Sequence, residues 1–131
     1  MSDPVRILEP AECWALLEKQ ALGRLAIRDG EGVDIFPVNY LVHDSAIYFR
    51  SAPGAKLVDL TKHAGVAFEI DGQLAHRVWS VVVSGIATRL GSDAEIQKSG
   101  IHELKTWHPS DKYNYVCIHP ESVTGRSFAK G

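Results

Sequence analysis

The stretch RVWSVVVSGIATRL, Arg77 to Leu90, limits the possible folds more than any other part of the chain. Its even positions include Val78, Val82 and Ile86, and its odd positions Trp79, Val81 and Val83, so a strand here is apolar on both faces. A sheet with one face in water alternates apolar and polar residues instead. The 131 residues make one domain, 1–131, large enough for a core but too small to cover both faces of that strand. One face is expected to fill a closed sheet and the other to lie against a partner, most economically a second copy.

The remaining pattern supplies the other elements. Pro10 suits a first helical position, and Cys13, Leu16, Leu17 and Ala21 recur at helical spacing, which predicts a helix over Pro10–Gln20. Strands are predicted at Leu22–Ile27, Val33–Val42 and Ala46–Arg50. The last two are joined by His43-Asp44-Ser45 as a hairpin. Gly65–Ile70 is a further strand, closed by Asp71-Gly72, and Tyr113–Ile118 and Val123–Phe128 complete the set. A short helix is predicted over Gly54–His63. Ser92-Asp93-Ala94-Glu95 fits a capping box opening another over Asp93–Lys105. Six or so short strands with three helices predict a mainly β architecture, a six-stranded antiparallel barrel, because closure removes sheet edges.

Composition excludes several functions. The net charge of −2 comes from interspersed acidic and basic residues, with no basic stripe to attract a nucleic acid. No apolar run reaches the roughly 18 residues of a membrane-spanning helix. The N-terminus MSDPVRILEP has no signal-peptide pattern, and Cys13 and Cys117 are expected to stay reduced, which fits a cytoplasmic setting. The histidines at 43, 63, 76, 102, 108 and 119 show no HxxxH or CxxC-type spacing, so surface histidines are expected rather than a metal site. GxSxG, GxxxxGK[ST] and GxGxxG are all absent.

One segment concentrates binding chemistry. In Arg50-Ser51-Ala52-Pro53-Gly54-Ala55-Lys56, a guanidinium fork, a hydroxyl and an ammonium surround a Pro-Gly turn before a predicted helix start. Free N–H groups at that start and a glycine that lets the backbone come close would suit a phosphate. A solvated strand-to-helix turn has the same spacing.

The stretch from Ile35 to Leu57, with VAFEID, WSVVVSGIA and the closing VTGRSF, resembles the pyridoxamine 5′-phosphate oxidase-like family of FMN-binding split barrels, in order and over nearly the whole chain. That resemblance implies a homodimeric flavin-dependent oxidoreductase of a small molecule. In it Arg50, Ser51 and Lys56 hold the FMN phosphate, Gly54 and Ala55 allow close approach, and Phe49 and Leu57 flank the turn. It places Pro37, Val38, Asn39 and Tyr40 beside the isoalloxazine, and Trp79 and Ser80 against the flavin from the other subunit. It also lets Trp107 and Arg126 complete the pocket. Packing in the core or interface is the alternative for Trp79 and Trp107. Tyr40, His76 and Asn39 are candidates for substrate or ring contacts, and no side chain stands out as a catalytic acid or base. Pyridoxamine phosphate oxidases proper are longer and carry an arginine-rich C-terminal substrate segment without a counterpart here, so that specific activity is not expected. A deazaflavin coenzyme, also phosphorylated, fits the same cluster. A non-catalytic flavin- or haem-binding module is the further alternative.

Overall fold

Alternation along the strands sorts the side chains into an inside and an outside, and this sorting places the candidate residues. The computed structural model describes residues 5–51, 64–90, 98 and 114–130. In chain order they form β1 (Arg6–Ile7), α1 (Pro10–Lys19), β2 (Leu22–Asp29), β3 (Gly32–His43), β4 (Ala46–Ser51), β5 (Ala64–Leu74), β6 (Arg77–Arg89) and β7 (Asn114–Ala129). The sheet runs β1-β7-β4-β3-β2-β5-β6 and closes through β6–β7 pairing, so six antiparallel strands form a ring with β1 on its rim. This is the expected mainly β split barrel, with one helix among the described elements. The helices expected at Gly54–His63 and Asp93–Lys105 fall outside the described residues, apart from helical Lys98.

The core lies inside the ring. Leu25, Ile27, Ile47, Phe49, Phe68, Ile70, Val81, Val83, Val116 and Ile118 are almost wholly buried there. Helix α1 closes one end, with Cys13 and Leu17 buried against the strands. Pro10 opens it at the first position, and Glu12 accepts the Glu9 N–H at 3.2 Å and pairs with Arg6 at 2.9 Å. Burial pushes the Cys13 thiol pKa up, and both cysteines are free.

Two expected strand boundaries are corrected. The strands predicted at Tyr113–Ile118 and Val123–Phe128 are one strand, β7. Pro120 sits at a bulge, where Ser84 pairs with Ser122 but Gly85 pairs with Pro120. A bulge tolerates the missing proline N–H, and Gly85 is needed there because a Cβ would meet the His119 carbonyl oxygen at 2.1 Å. Asp71-Gly72 does not end β5, which runs on to Leu74 and turns at Ala75 (φ 55°) into β6. Gly72 instead makes room for the indole of its cross-strand partner: a Cβ there would lie 2.4 Å from Trp79 Cζ2.

The expected β3–β4 hairpin forms, with Leu41 opposite Tyr48 and His43 opposite Ala46. Asp44 and Ser45 both take positive φ (52° and 56°), the left-handed pair that a two-residue hairpin turn requires.

Candidate functional site

Register divides the sequence candidates into two groups. Val38, Tyr40, Phe49 and Trp79 point into the barrel and are 8 % exposed or less. The Tyr40 hydroxyl donates to the Leu17 carbonyl at 2.6 Å, and its ring meets Phe68 edge-on with centroids 4.8 Å apart. Burial raises the phenol pKa well above its ordinary value. The Tyr40 ring is part of the core and tied to α1. The Trp79 indole packs over Gly72 within the core cluster, the packing alternative expected for it beside a cofactor contact. All four residues can reach an outside ligand only through the backbone.

The second group faces outward. Pro37 and Asn39 are exposed on β3, and Arg50 is half-buried near the end of β4. Tyr40 pairs with Phe49, so Asn39 and Arg50 lie one step further along the same pair of strands. On the other side of Arg50 is Tyr115 of β7. Ser51 follows Arg50 as the last residue of β4. Gly54, Ala55, Lys56, Leu57 and Trp107 lie outside the described residues.

Ser80 and exposed Arg126 are paired across β6 and β7, at a distance from the first set. From Asn39 the path to Ser80 crosses β2 and β5, three strand spacings or about 14 Å around the barrel. His76 lies in the β5–β6 turn, apart from both sets.

Four residues further along the strands, the outside of the barrel carries a row of mostly small residues. Ile35, Ala26, Ala67, Ser84 and Ser122 form one row across five strands. Over it runs an open groove of about 370 Å³. Val33 lines it and is 67 % exposed, and Ile35, in the row itself, is 66 % exposed. In the neighbouring row Arg24 binds Glu69 and reaches Asp71 at 2.8 Å, and these carboxylates raise the guanidinium pKa.

A second concavity escaped the sequence reading. Beside the β3–β4 turn, a pocket of about 400 Å³ is lined by His43, Tyr48, Thr88, Leu90, Lys98 and His119, with Asp44 and Cys117. Thr88 Oγ1 and His119 Nε2 share a hydrogen bond at 3.0 Å, its direction set by the imidazole tautomer. Cys117 Sγ lies 4.0 Å from His119 Nδ1. Cys117 and His119 are two apart in sequence on one strand, a spacing that puts side chains on one face and was the available signal. No group of three or more His, Cys, Asp or Glu among the described residues is placed to hold a metal ion. No described helix is long and apolar enough to cross a membrane.

Comparison with known proteins adds a lineage to this geometry. The family model described as pyridoxamine 5′-phosphate oxidase matches residues 9–127. A structure of an FAD binding protein from Mycobacterium smegmatis superposes with a TM-score of 0.88 at 36 % identity, covering 96 % of this chain and 100 % of that one. An FAD-binding protein from Mesorhizobium loti gives 0.78 at 25 % identity over 97 % and 100 %. An uncharacterised protein of Mycobacterium tuberculosis H37Rv is 34 % identical over 91 residues, 70 % of this chain and 83 % of that protein.

Proposed function

The chain belongs to the pyridoxamine 5′-phosphate oxidase family, and from that premise we propose that it is a flavin-dependent oxidoreductase acting on a small molecule. The observation that carries this reading is the outward placement of Arg50 beside Asn39 and Pro37 on the β3–β4 pair. The donor set fits a phosphorylated flavin. Arg50 offers a planar fork to a phosphate, Asn39 offers a donor and an acceptor to the polar edge of a ring, and Pro37 gives it an apolar neighbour. Ser51 and Lys56, close to Arg50 in sequence, add a hydroxyl and a charge to the donor set.

When bound, the flavin supplies the redox chemistry, and the protein positions it and limits access to it. Arg50 fixes the phosphate end, so the ring end is aligned along β3. The strand backbone at Val38 and Tyr40 is held still because both side chains are locked in the core. That rigidity keeps the backbone at a fixed height beneath a ligand on the outer surface. FMN is the simplest flavin that uses this anchor. The FAD-binding relatives make a dinucleotide equally compatible with it.

We further propose that two copies of the chain form the site. Asn39 and Arg50 lie about 14 Å or more around the barrel from Ser80 and Arg126. An isoalloxazine ring seated at Asn39 is too short to reach Ser80 and Arg126 around the same barrel, so a second copy supplies them. The small-residue row through Ala26, Ala67 and Ser84, with exposed Val33 and Ile35, is the surface for the second copy. Purified protein should carry a yellow chromophore that mass spectrometry identifies as a flavin. It should then oxidise reduced nicotinamide in the presence of an electron acceptor. Sedimentation at low micromolar concentration should show a dimer favoured by the flavin. A colourless protein that gains no flavin on incubation with FMN or FAD would refute the cofactor, and a monomer saturated with flavin would refute the shared site.

A further inference from the structure

We propose that the pocket beside the β3–β4 hairpin is a subsite for a purine nucleotide, so that the cofactor anchored at Arg50 is a dinucleotide flavin. The inference rests on the flavin reading above and specifies which flavin the same surface takes. Its volume, about 400 Å³, falls within the range of small-molecule sites.

The lining suits a planar nitrogen-rich base. His43 and Tyr48 form an aromatic wall, with ring centroids 6.4 Å apart and planes tilted by 59°. Given the tilt, one of the two faces at a time can stack a base, without demanding a particular pattern of donors. Thr88, joined to His119 at 3.0 Å, keeps hydroxyl capacity in the pocket lining for a base edge, and the His119 imidazole orients it. The Cys117 sulfur beside Nδ1 and the Thr88 hydroxyl beside Nε2 hold that imidazole from both sides. Leu90 closes the apolar side, and Lys98 brings a positive charge to the lining. Asp44 lies at the hairpin turn, the end away from Arg50, where a carboxylate can accept from an exocyclic amino group rather than face a phosphate.

Position links the pocket to the anchor. Tyr48 and Arg50 are alternate residues of β4 on its outer side, about 7 Å apart along the strand. On β3, Asn39 and His43 are about 14 Å apart on the same outer row. A ligand laid along this hairpin has its phosphates at Arg50. Its flavin ring lies towards Pro37 and Asn39, and its second base towards Tyr48 and His43. A mononucleotide leaves the second half of that track empty.

The test titrates the full-length apoprotein with FAD, FMN, riboflavin and ADP, read by calorimetry. A stacked base contributes about ten- to hundredfold in affinity, so FAD is expected to bind at least tenfold more tightly than FMN, and ADP to compete with FAD. Tyr48→Ala should remove most of that advantage while FMN affinity stays within about twofold. Thr88→Val, close to isosteric, and His43→Ala on the exposed turn should act in the same direction, and each is checked by thermal unfolding for an intact fold. FAD binding no tighter than FMN would overturn the subsite while leaving the flavin reading standing, and so would Tyr48→Ala weakening both flavins equally. Failure of both flavins to bind would overturn the reading and the subsite together.

Discussion

Val38 and Tyr40 alternate with Pro37 and Asn39 along one strand, yet the two pairs have opposite surroundings. The first pair is 7 % and 3 % exposed in a core of large, interlocking side chains. The second faces out from β3 beside a surface of alanines, serines and paired charges. The inner face is specified by volume, and one missing ring there leaves a hole. The outer face mixes small residues and paired charges with exposed apolar ones such as Leu22, Val33 and Ile35, which packing inside one barrel does not require. The difference separates what holds the barrel together from what it is available to bind.

The strongest way to sharpen this contrast is to truncate one residue on each face. Phe68 is fully buried and meets Tyr40 edge-on, so Phe68→Ala should cost about 3–5 kcal/mol in urea unfolding. Ile35→Ala, on a residue 66 % exposed, should cost under about 0.5 kcal/mol in an isolated barrel. A larger cost for Ile35→Ala that grows with protein concentration would mean that a second copy covers the outer face.

Tyr40 gives a subtler division. Tyr40→Phe leaves the Leu17 carbonyl without its 2.6 Å donor and should lower stability by about 1–3 kcal/mol, with flavin affinity unchanged. Because burial raises the folded-state phenol pKa, the folded state keeps a proton that the unfolded state releases above about pH 10. Stability contributed by Tyr40 is thus complete below that pH and falls as pH rises beyond it. The gap between wild type and Tyr40→Phe should close over the same range. A loss of flavin affinity in this variant would break the assignment of Tyr40 to the core.

Smaller effects are expected at the surface. Ser45 holds φ 56° without being glycine, and Ser45→Gly should raise stability by about 0.5–1 kcal/mol, the relieved strain being partly offset by unfolded-state entropy. Arg24→Ala should cost only about 0.2–1 kcal/mol, since its carboxylate partners are partly exposed, and less in high salt.

The fold was legible where two independent signals agreed. The β3–β4 hairpin had apolar runs and a turn, and β6 had length and two apolar faces. Legibility failed where glycine and proline carried the signal alone. Gly72 reads as a strand end, but it is the gap that Trp79 fills. Pro120 reads as a break between strands, but it occupies a bulge in one long strand. At the site, Arg50 was legible as a guanidinium beside a Pro-Gly turn, and Asn39 only through the family resemblance. The inward turn of Tyr40 and Trp79 was not, because parity along β3 and β6 cannot be assigned when both faces carry apolar residues. Their cross-strand partners held the clue: Tyr40 pairs with Phe49, and Trp79 with Gly72. The pocket beside the β3–β4 turn was hidden because its residues come from β3, β4, β6 and β7 and from Lys98, and only register brings them together.

The most direct test of the account is a comparison of FMN with riboflavin, which lacks the phosphate, by fluorescence quenching in wild type and Arg50→Ala. A charge-assisted hydrogen bond contributes about 1.5–3 kcal/mol, so wild type should bind FMN roughly ten- to a hundredfold more tightly than riboflavin. Arg50→Ala should remove most of that preference while riboflavin affinity holds. Equal affinities in wild type, or an FMN preference untouched by Arg50→Ala, would contradict an outer face organised around a phosphate anchor.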